Sequence, residues 1–390
     1  ISINENRHFL LVNLHHIVTD AWSTGLLFSE INELYRAELA GEEGQLSALP
    51  IQYADYSKWQ NEWLRFGVLE ELLYYWLEKL RDAPPELSLM KDYPKSSNLS
   101  SAGESLSFSL SPAASQVLGE IAFDNNATLF MVLLAGFKTL LYRYTGDTDI
   151  VIGTPVANRR LSELESLIGF FVNTLVMRTD LSGNPSFTEL IARVRETAIG
   201  AYEHQDLPYE KLVDQLGPER RWNRSPLFQV MFVFHNAPEV DLTFNDLLIE
   251  PVGIETNTAK FDLNMSVLEQ DGQVHGSLEF NSELFEASTI QGMLDSYCLI
   301  LEQLATNPNA AINQSSLVQD ERLDQVNLWS KGKEVDVPEG DVCDWFIQQA
   351  LKSPDNLAIC DKHRELSYRE LDLESTKLAH VLRNNGLQAG

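Results

Sequence analysis

His15-His16-Ile17-Val18-Thr19-Asp20, read as HHIVTD at residues 15–20, places adjacent imidazoles and a carboxylate in one short segment. An apolar run at residues 9–14, FLLVNL, precedes it and predicts a short strand. Helical periodicity takes over near Ser23. The segment is therefore expected at a strand-to-helix turn, where a rigid element on each side fixes the groups between them. Histidine titrates near neutrality and can exchange a proton there. The alternative is a structural or solvated turn. Metal binding is disfavoured. Neighbouring histidines on extended backbone point to opposite sides. His16 and Asp20 approach only if the turn is helical. A zinc site wants a third protein ligand, and the sequence holds no HExxH and no CxxC.

Outward from this turn, residues 26, 27, 31, 34, 35 and 39 form an apolar stripe, and Gly41 reads as a helix stop. The aromatics of 53–81 (Tyr53, Tyr56, Trp59, Trp63, Phe66, Tyr74, Tyr75 and Trp76) have helical spacing, which predicts core positions for most of them rather than ligand contacts. Residues 83–104 read as a crossover loop. Strands are expected over 105–110, 149–154, 170–178, 227–235, 263–269 and 274–281, with Asp271-Gly272 as a hairpin turn. Helices are expected over 112–123, 128–144, 187–205 and 287–305. Residues 306–340 read as irregular, with a domain boundary near 320–340. A helix around 342–351, a short strand at 358–361 and a helix over 367–384 begin something new.

Composition narrows the classes. The chain has 390 residues, enough for two or three domains of typical size. The net charge of -28 argues against nonspecific nucleic-acid binding. Cys298, Cys343 and Cys360 form no disulfide framework, which fits a reducing cytoplasm. No apolar run reaches the ~18 residues of a membrane span. Both ends read as cut from something longer, since Ile1 opens in a strand context and Gly390 follows a helix.

Taken together, the segments resemble the condensation domain of nonribosomal peptide synthetases. HHIVTDAWS at 15–23 matches that family's HHxxxDG motif, with Ala21 where glycine is usual. YADYSKW at 53–59, IGFFVNTLVMR at 168–178, HQDLPYEKLV at 204–213 and RSPLFQVMF at 224–232 match further blocks in the family's order. LSYREL at 366–371 is similar to the first motif of an adenylation domain.

The resemblance implies an α/β (α+β), chloramphenicol-acetyltransferase-like two-lobed fold with its N-terminal lobe truncated. The condensation domain is expected over 1–320, with the end of the N-terminal lobe at about 1–90 and the C-terminal lobe at about 100–320. A linker would cover 321–340, and the start of an adenylation domain 341–390. It also implies peptide-bond formation between two carrier-bound thioesters, in the subtype that joins an L donor to an L acceptor. The partners implied are upstream donor and downstream acceptor carrier proteins and the chain's own adenylation domain, with no nucleic acid and no membrane. No cofactor is bound directly, because the substrates ride on the carriers' 4'-phosphopantetheine. The alternatives are an epimerisation domain, against which the downstream LSYREL speaks, and an inactive recruiting domain, against which His16 speaks. Heterocyclisation relatives carry aspartates where this chain has His15 and His16. A fragment lacking the donor-side lobe would be inactive alone.

The catalytic residue carried over is His16. His15 and Asp20 would support it, with Arg159 of PVANR (155–159) as the first-choice partner of Asp20 and Arg178 as the second. Asp20 is read as structural, because an ion-paired carboxylate is a poor base. Trp22, Asn173, Ser225 and Gln229 are expected along the substrate tunnel, and Asn173 reads equally well as a core amide satisfied by backbone. At Ala21, a positive φ would bring strain of about 1 kcal/mol. His204, Gln205 and Asp206 are read as capping groups. No residue is assigned to a metal.

Overall fold

The computed structural model describes residues 1–94, 101–217, 226–235, 247, 249, 250, 252, 257–332 and 339–387. Its chain divides into two compact units, 1–323 and 324–390.

In the first unit, β1 (Ser2–Asn4) and β2 (Arg7–His8) form a small antiparallel pair. One turn of 3-10 helix, His16–Val18, leads into α1 (Ala21–Ala40). Then come α2 (Tyr53–Trp63) and α3 (Leu69–Lys79). The larger part alternates strands and helices: β3 (Gly103–Ser109), α4 (Pro112–Asp124), α5 (Leu129–Thr145), β4 (Asp149–Val156), α6 (Ser162–Glu165) and β5 (Asn173–Asp180). It continues with α7 (Phe187–Glu203), α8 (Tyr209–Leu216), β6 (Val230–His235), β7 (Leu263–Gln270), β8 (Gln273–Asn281) and α9 (Ala287–Thr306).

Six strands form one mixed sheet in the order β3-β8-β7-β6-β4-β5. The β4–β6 and β6–β7 pairs are parallel and the others antiparallel. β4 runs DIVIGTPV and is buried from Ile150 through Thr154, as expected of a strand covered on both faces. The hairpin between β7 and β8 turns on Asp271 (φ 52) and Gly272 (φ 74), as its Asp-Gly sequence predicts. Helices α4, α5, α7 and α9 pack with one another and on the sheet. Central α5 carries Leu133, Leu134 and Phe137, all fully buried, and the Phe137 ring packs against Phe232 and Tyr297. Lys138 is also fully buried, and its Nζ donates to the Met177 carbonyl at 2.7 Å and to Thr179 Oγ1 at 2.8 Å. Burial holds its ammonium well below the ordinary lysine value.

Two expectations are corrected here, and a third is borne out for most of its residues. Residues 9–14 do not form a strand: Phe9 exchanges backbone hydrogen bonds with Ile1 beside the β1–β2 pair, no strand is assigned over 9–14, and Leu10 is 72% exposed. An apolar run alone does not make a strand, which needs a neighbour for its N–H and C=O groups. Most of the aromatics of 53–81 are core, as expected, with Tyr53, Trp63 and Tyr75 packed against the core clusters. Tyr56 and Trp76 are buried, but Trp59, Phe66 and Tyr74 are exposed. A π-type turn at Leu64–Val68, with Gly67 at φ 85, shifts the helical phase between α2 and α3. Finally, the expected irregular linker contains a helix, α10 (Asp320–Ser330).

The second unit holds α11 (Val342–Lys352), the antiparallel pair β9 (Leu357–Cys360) and β10 (Glu365–Ser367), and α12 (Tyr368–Asn384). Ser367 caps α12 through a reciprocal pair of bonds with Glu370. No single helix among the described residues is long and apolar enough to cross a membrane.

Candidate active site

The HHIVTD turn owes its shape to hydrogen bonds with its own backbone. His15 caps the 3-10 turn, its Nδ1 accepting the Ile17 N–H at 3.1 Å. His16 Nδ1 lies 2.7 Å from the Thr19 carbonyl oxygen. A carbonyl only accepts, so His16 Nδ1 carries the proton and Nε2 of the neutral ring keeps a free lone pair. The assignment reverses at His15, whose Nδ1 is the acceptor. Adjacent imidazoles are thus held in opposite tautomers. The His16 ring stands nearly perpendicular to that of Phe170, at 84° with centroids 5.1 Å apart.

Asp20 ends the turn and starts α1. Its Oδ1 accepts the Ser23 N–H at 2.8 Å, which satisfies an orphan donor of the first helical turn. Its Oδ2 accepts the Phe171 N–H at 3.0 Å. Arg159 Nη2 donates to Asp20 Oδ1 at 3.3 Å and to Ser23 Oγ at 2.7 Å. Arg159 Nη1 donates to the carbonyls of Leu164 and, at 2.7 Å, Leu167. The guanidinium lies over the Phe171 ring, 4.1 Å from its centroid, in cation–π geometry. Burial pushes the Asp20 carboxyl up, but the hydrogen bonds from Ser23 and Phe171 and the Arg159 charge together hold it below the ordinary aspartate value. Burial also lowers Arg159, more than Asp20 raises it.

Ser23, absent from the sequence-derived site, is at the centre of this arrangement. It is fully buried, accepts the Gly169 N–H at 3.0 Å and donates to the Gly169 carbonyl at 2.8 Å. Tyr53 Oη donates to the Phe170 carbonyl at 2.8 Å, and Trp22 Nε1 to the Glu165 carbonyl at 2.9 Å. Successive backbone groups of the segment between α6 and β5 are therefore clamped to α1 and α2. Gly169 has no room for a side chain, since a Cβ there would collide with the Tyr53 ring.

The remaining sequence-derived residues fall elsewhere. Arg178 does not pair with Asp20. Its Nε and Nη2 fork onto Asp149, and its Nη1 donates to the carbonyls of Lys79 and Arg81. Strand alternation explains this: neighbouring Thr179 bonds to Lys138 and Thr197 on α5 and α7, so Arg178 projects from the other face of β5. Asn173 is fully engaged by backbone, its Nδ2 donating to the Gln205 and Leu207 carbonyls and its Oδ1 accepting the Tyr209 N–H. Both its amide protons are spent, which leaves no donor for a tunnel substrate. Gln229 is buried and donates to the Pro85 carbonyl at 3.1 Å. Trp22 holds the clamp, as described. Ala21 is the first residue of α1 and not a positive-φ position, so the strain a positive φ would bring does not arise. Ser225 lies outside the described residues. His204 caps α7, with Nδ1 donating to the Gly200 carbonyl, and Asp206 pairs with Arg160. Among the described residues, no cluster of three or more His, Cys, Asp or Glu is placed to hold a metal.

A mixed sheet layered with helices, and a histidine turn clamped to the segment before β5, define a chloramphenicol-acetyltransferase-like α/β protein. The Condensation domain family model matches residues 1–326, and the chain belongs to that family. A linear gramicidin synthase of Brevibacillus parabrevis is 43% identical over 100% of this chain. Bacitracin synthase 3 of Bacillus licheniformis is 34% identical over the same share. The chain spans only 8% and 6% of their respective lengths. The crystal structure of a four-domain nonribosomal peptide synthetase bound to AMP and glycine matches 97% of this chain and 29% of its own, with a TM-score of 0.73 and 25% identity. The X-domain from teicoplanin biosynthesis matches 78% of this chain and 71% of its own, with a TM-score of 0.71 and 27% identity. Amide-bond formation in nonribosomal peptide synthesis is the activity of the condensation family.

Proposed function

We propose that this chain joins a donor acyl or peptidyl thioester to an acceptor aminoacyl thioester, each held on the 4'-phosphopantetheine arm of a carrier protein. Its L-donor, L-acceptor specificity, its cytoplasmic setting and the assignment of 341–390 to the opening of an adenylation domain belong to the same reading. Residues 1–320 would form the condensation domain, with the lobes dividing at about 90–100. The observation that carries the reading is the His16 ring: Nδ1 is anchored on the Thr19 carbonyl, and the Nε2 lone pair is free to meet a substrate N–H.

The chemistry follows from that lone pair. A free α-amine has a pKa near ~8, so on the order of a tenth is already neutral at pH 7. Attack on a thioester therefore needs little base strength. Nε2 accepts a hydrogen bond from the attacking amine and so aims it at the carbonyl carbon. As the C–N bond forms, the nitrogen becomes cationic, and the same contact stabilises it. The tetrahedral intermediate then collapses: the C–S bond breaks, the donor's pantetheine thiolate leaves, and the surplus nitrogen proton passes to it or to solvent. Asp20 remains a structural anion, committed to Ser23, Phe171 and Arg159.

The test is amide formation by the full-length protein between two loaded carriers. His16→Ala is expected to lower kcat by ~10²–10⁴-fold. A variant that turns over at the parent rate would end the catalytic reading. Positioning and base catalysis both use the unprotonated Nε2, so either predicts that kcat falls as the imidazole is protonated, and a kcat–pH profile without that limb would end both.

A further inference from the structure

We infer that Phe170 is a positioning residue for the amide-forming step, acting by fixing the orientation of the His16 imidazole. The inference rests on the function proposed above and goes beyond it by assigning a second determinant to the reacting geometry.

His16 is exposed as a residue. The bond from Nδ1 to the Thr19 carbonyl fixes the tautomer and one point of the ring. A single hydrogen bond leaves the ring free to swing about that point, because the terminal torsion of histidine is broad. The perpendicular Phe170 ring, 5.1 Å away, supplies a second constraint from a different direction. Together they set the direction in which the Nε2 lone pair points.

Phe170 itself is held by its backbone. The Gly169 N–H and carbonyl are both bonded by Ser23, the Phe170 carbonyl accepts from Tyr53, and the Phe171 N–H donates to Asp20. These bonds engage three consecutive residues, and none uses the Phe170 side chain. Its flanking neighbours are committed: Gly169 has no side chain, and Phe171 is buried between Arg159, Tyr53 and Tyr56. The clamp therefore delivers one aromatic side chain to the histidine, and substituting it leaves every clamp bond in place.

The test uses the full-length protein with loaded carriers and compares Phe170→Ala, Phe170→Leu and Phe170→Tyr in parent and His16→Ala backgrounds. Phe170→Ala is expected to lower kcat by about three- to tenfold, the kinetic equivalent of one lost aromatic contact, with KM for the carriers unchanged. Phe170→Tyr keeps the ring and should restore the rate, and Phe170→Leu should fall between. In the His16→Ala background, Phe170→Ala should change the residual rate by less than about twofold, because the residue it positions is gone. An equal loss in both backgrounds, a rise in KM alone, or a parent rate in Phe170→Ala would overturn the inference. The function itself is tested separately: if His16→Ala retains the parent rate, the catalytic reading fails whatever Phe170 does.

Discussion

Two arginine–aspartate pairs border β5, and they are built on opposite plans. At the active site, Arg159 and Asp20 are almost wholly buried, with side-chain exposures of 1% and 4%, yet they meet through one 3.3 Å contact. Arg159 gives its other donors to Ser23 and to the Leu164 and Leu167 carbonyls, and its buried Nε has no partner among the described residues. Behind the sheet, Arg178 and Asp149 make the better fork, with contacts of 2.7, 3.0 and 3.1 Å, but stand 21% and 34% exposed. The Asp149 bonds are the largest influence on Arg178 and raise it, whereas burial is the largest on Arg159 and lowers it. The tighter pair thus sits where water screens it. The buried pair works chiefly as a template for backbone, since four main-chain groups are fixed by its two side chains.

That contrast breaks most directly at Arg159. Arg159→Ala strands a buried carboxylate and deprives the Leu164 and Leu167 carbonyls of a donor. A loss of about 3–5 kcal/mol in urea denaturation is expected, as for breaking a buried ion pair. A loss below that of Arg178→Ala would invert the comparison.

A smaller effect is expected at Asp20. Asp20→Asn keeps the shape but replaces an acceptor with an amino group beside the Phe171 N–H or the guanidinium, at a cost of about 1–3 kcal/mol at neutral pH. The Asp20 carboxyl titrates below its ordinary value in the fold. Its charge-dependent stabilisation is therefore complete above the unfolded-chain value of ~3.9 and disappears as pH falls through the lower folded value. The gap between parent and Asp20→Asn should narrow as denaturation is moved from about pH 6 towards pH 3. A gap independent of pH would show that the charge contributes nothing.

The smallest effect belongs to Arg178→Ala. Partial exposure and solvent screening leave a cost of about 1 kcal/mol, read from the same urea curves, with amide formation intact. A loss of turnover in this variant would mean that the two pairs are coupled through β5.

Much of this arrangement was legible from residue patterns. The six strands of the sheet and helices α4, α5, α7 and α9 lie within a few residues of their expected bounds, because apolar periodicity and turn residues agree there, whereas the shorter α6 and α8 were not expected. The Asp20–Arg159 pair joins residues 139 apart, a link that came from family resemblance and not from local pattern. Ser23 left only a faint signal: a small polar residue on the stripe continued by Leu26, Leu27 and Ile31. A polar residue on an apolar face must find partners, and here they lie 136 and 146 residues away, on Arg159 and Gly169. Arg178, the second choice as an Asp20 partner, pairs with Asp149 instead, because placement on a strand does not by itself say which face a side chain takes.

The bonds from Ser23 to Gly169 also bear on how such chains can be recombined. Donor and acceptor specificities are attractive targets for exchanging segments between relatives. Any junction placed between residues 24 and 158 would take the α1 half of the clamp from one parent and the Arg159–Phe171 half from another. A hybrid of this kind keeps its histidines but inherits mismatched anchors for the turn that presents them. Seamless exchange would move residues 15–23 and 159–171 as one inherited unit, although the chain writes them far apart.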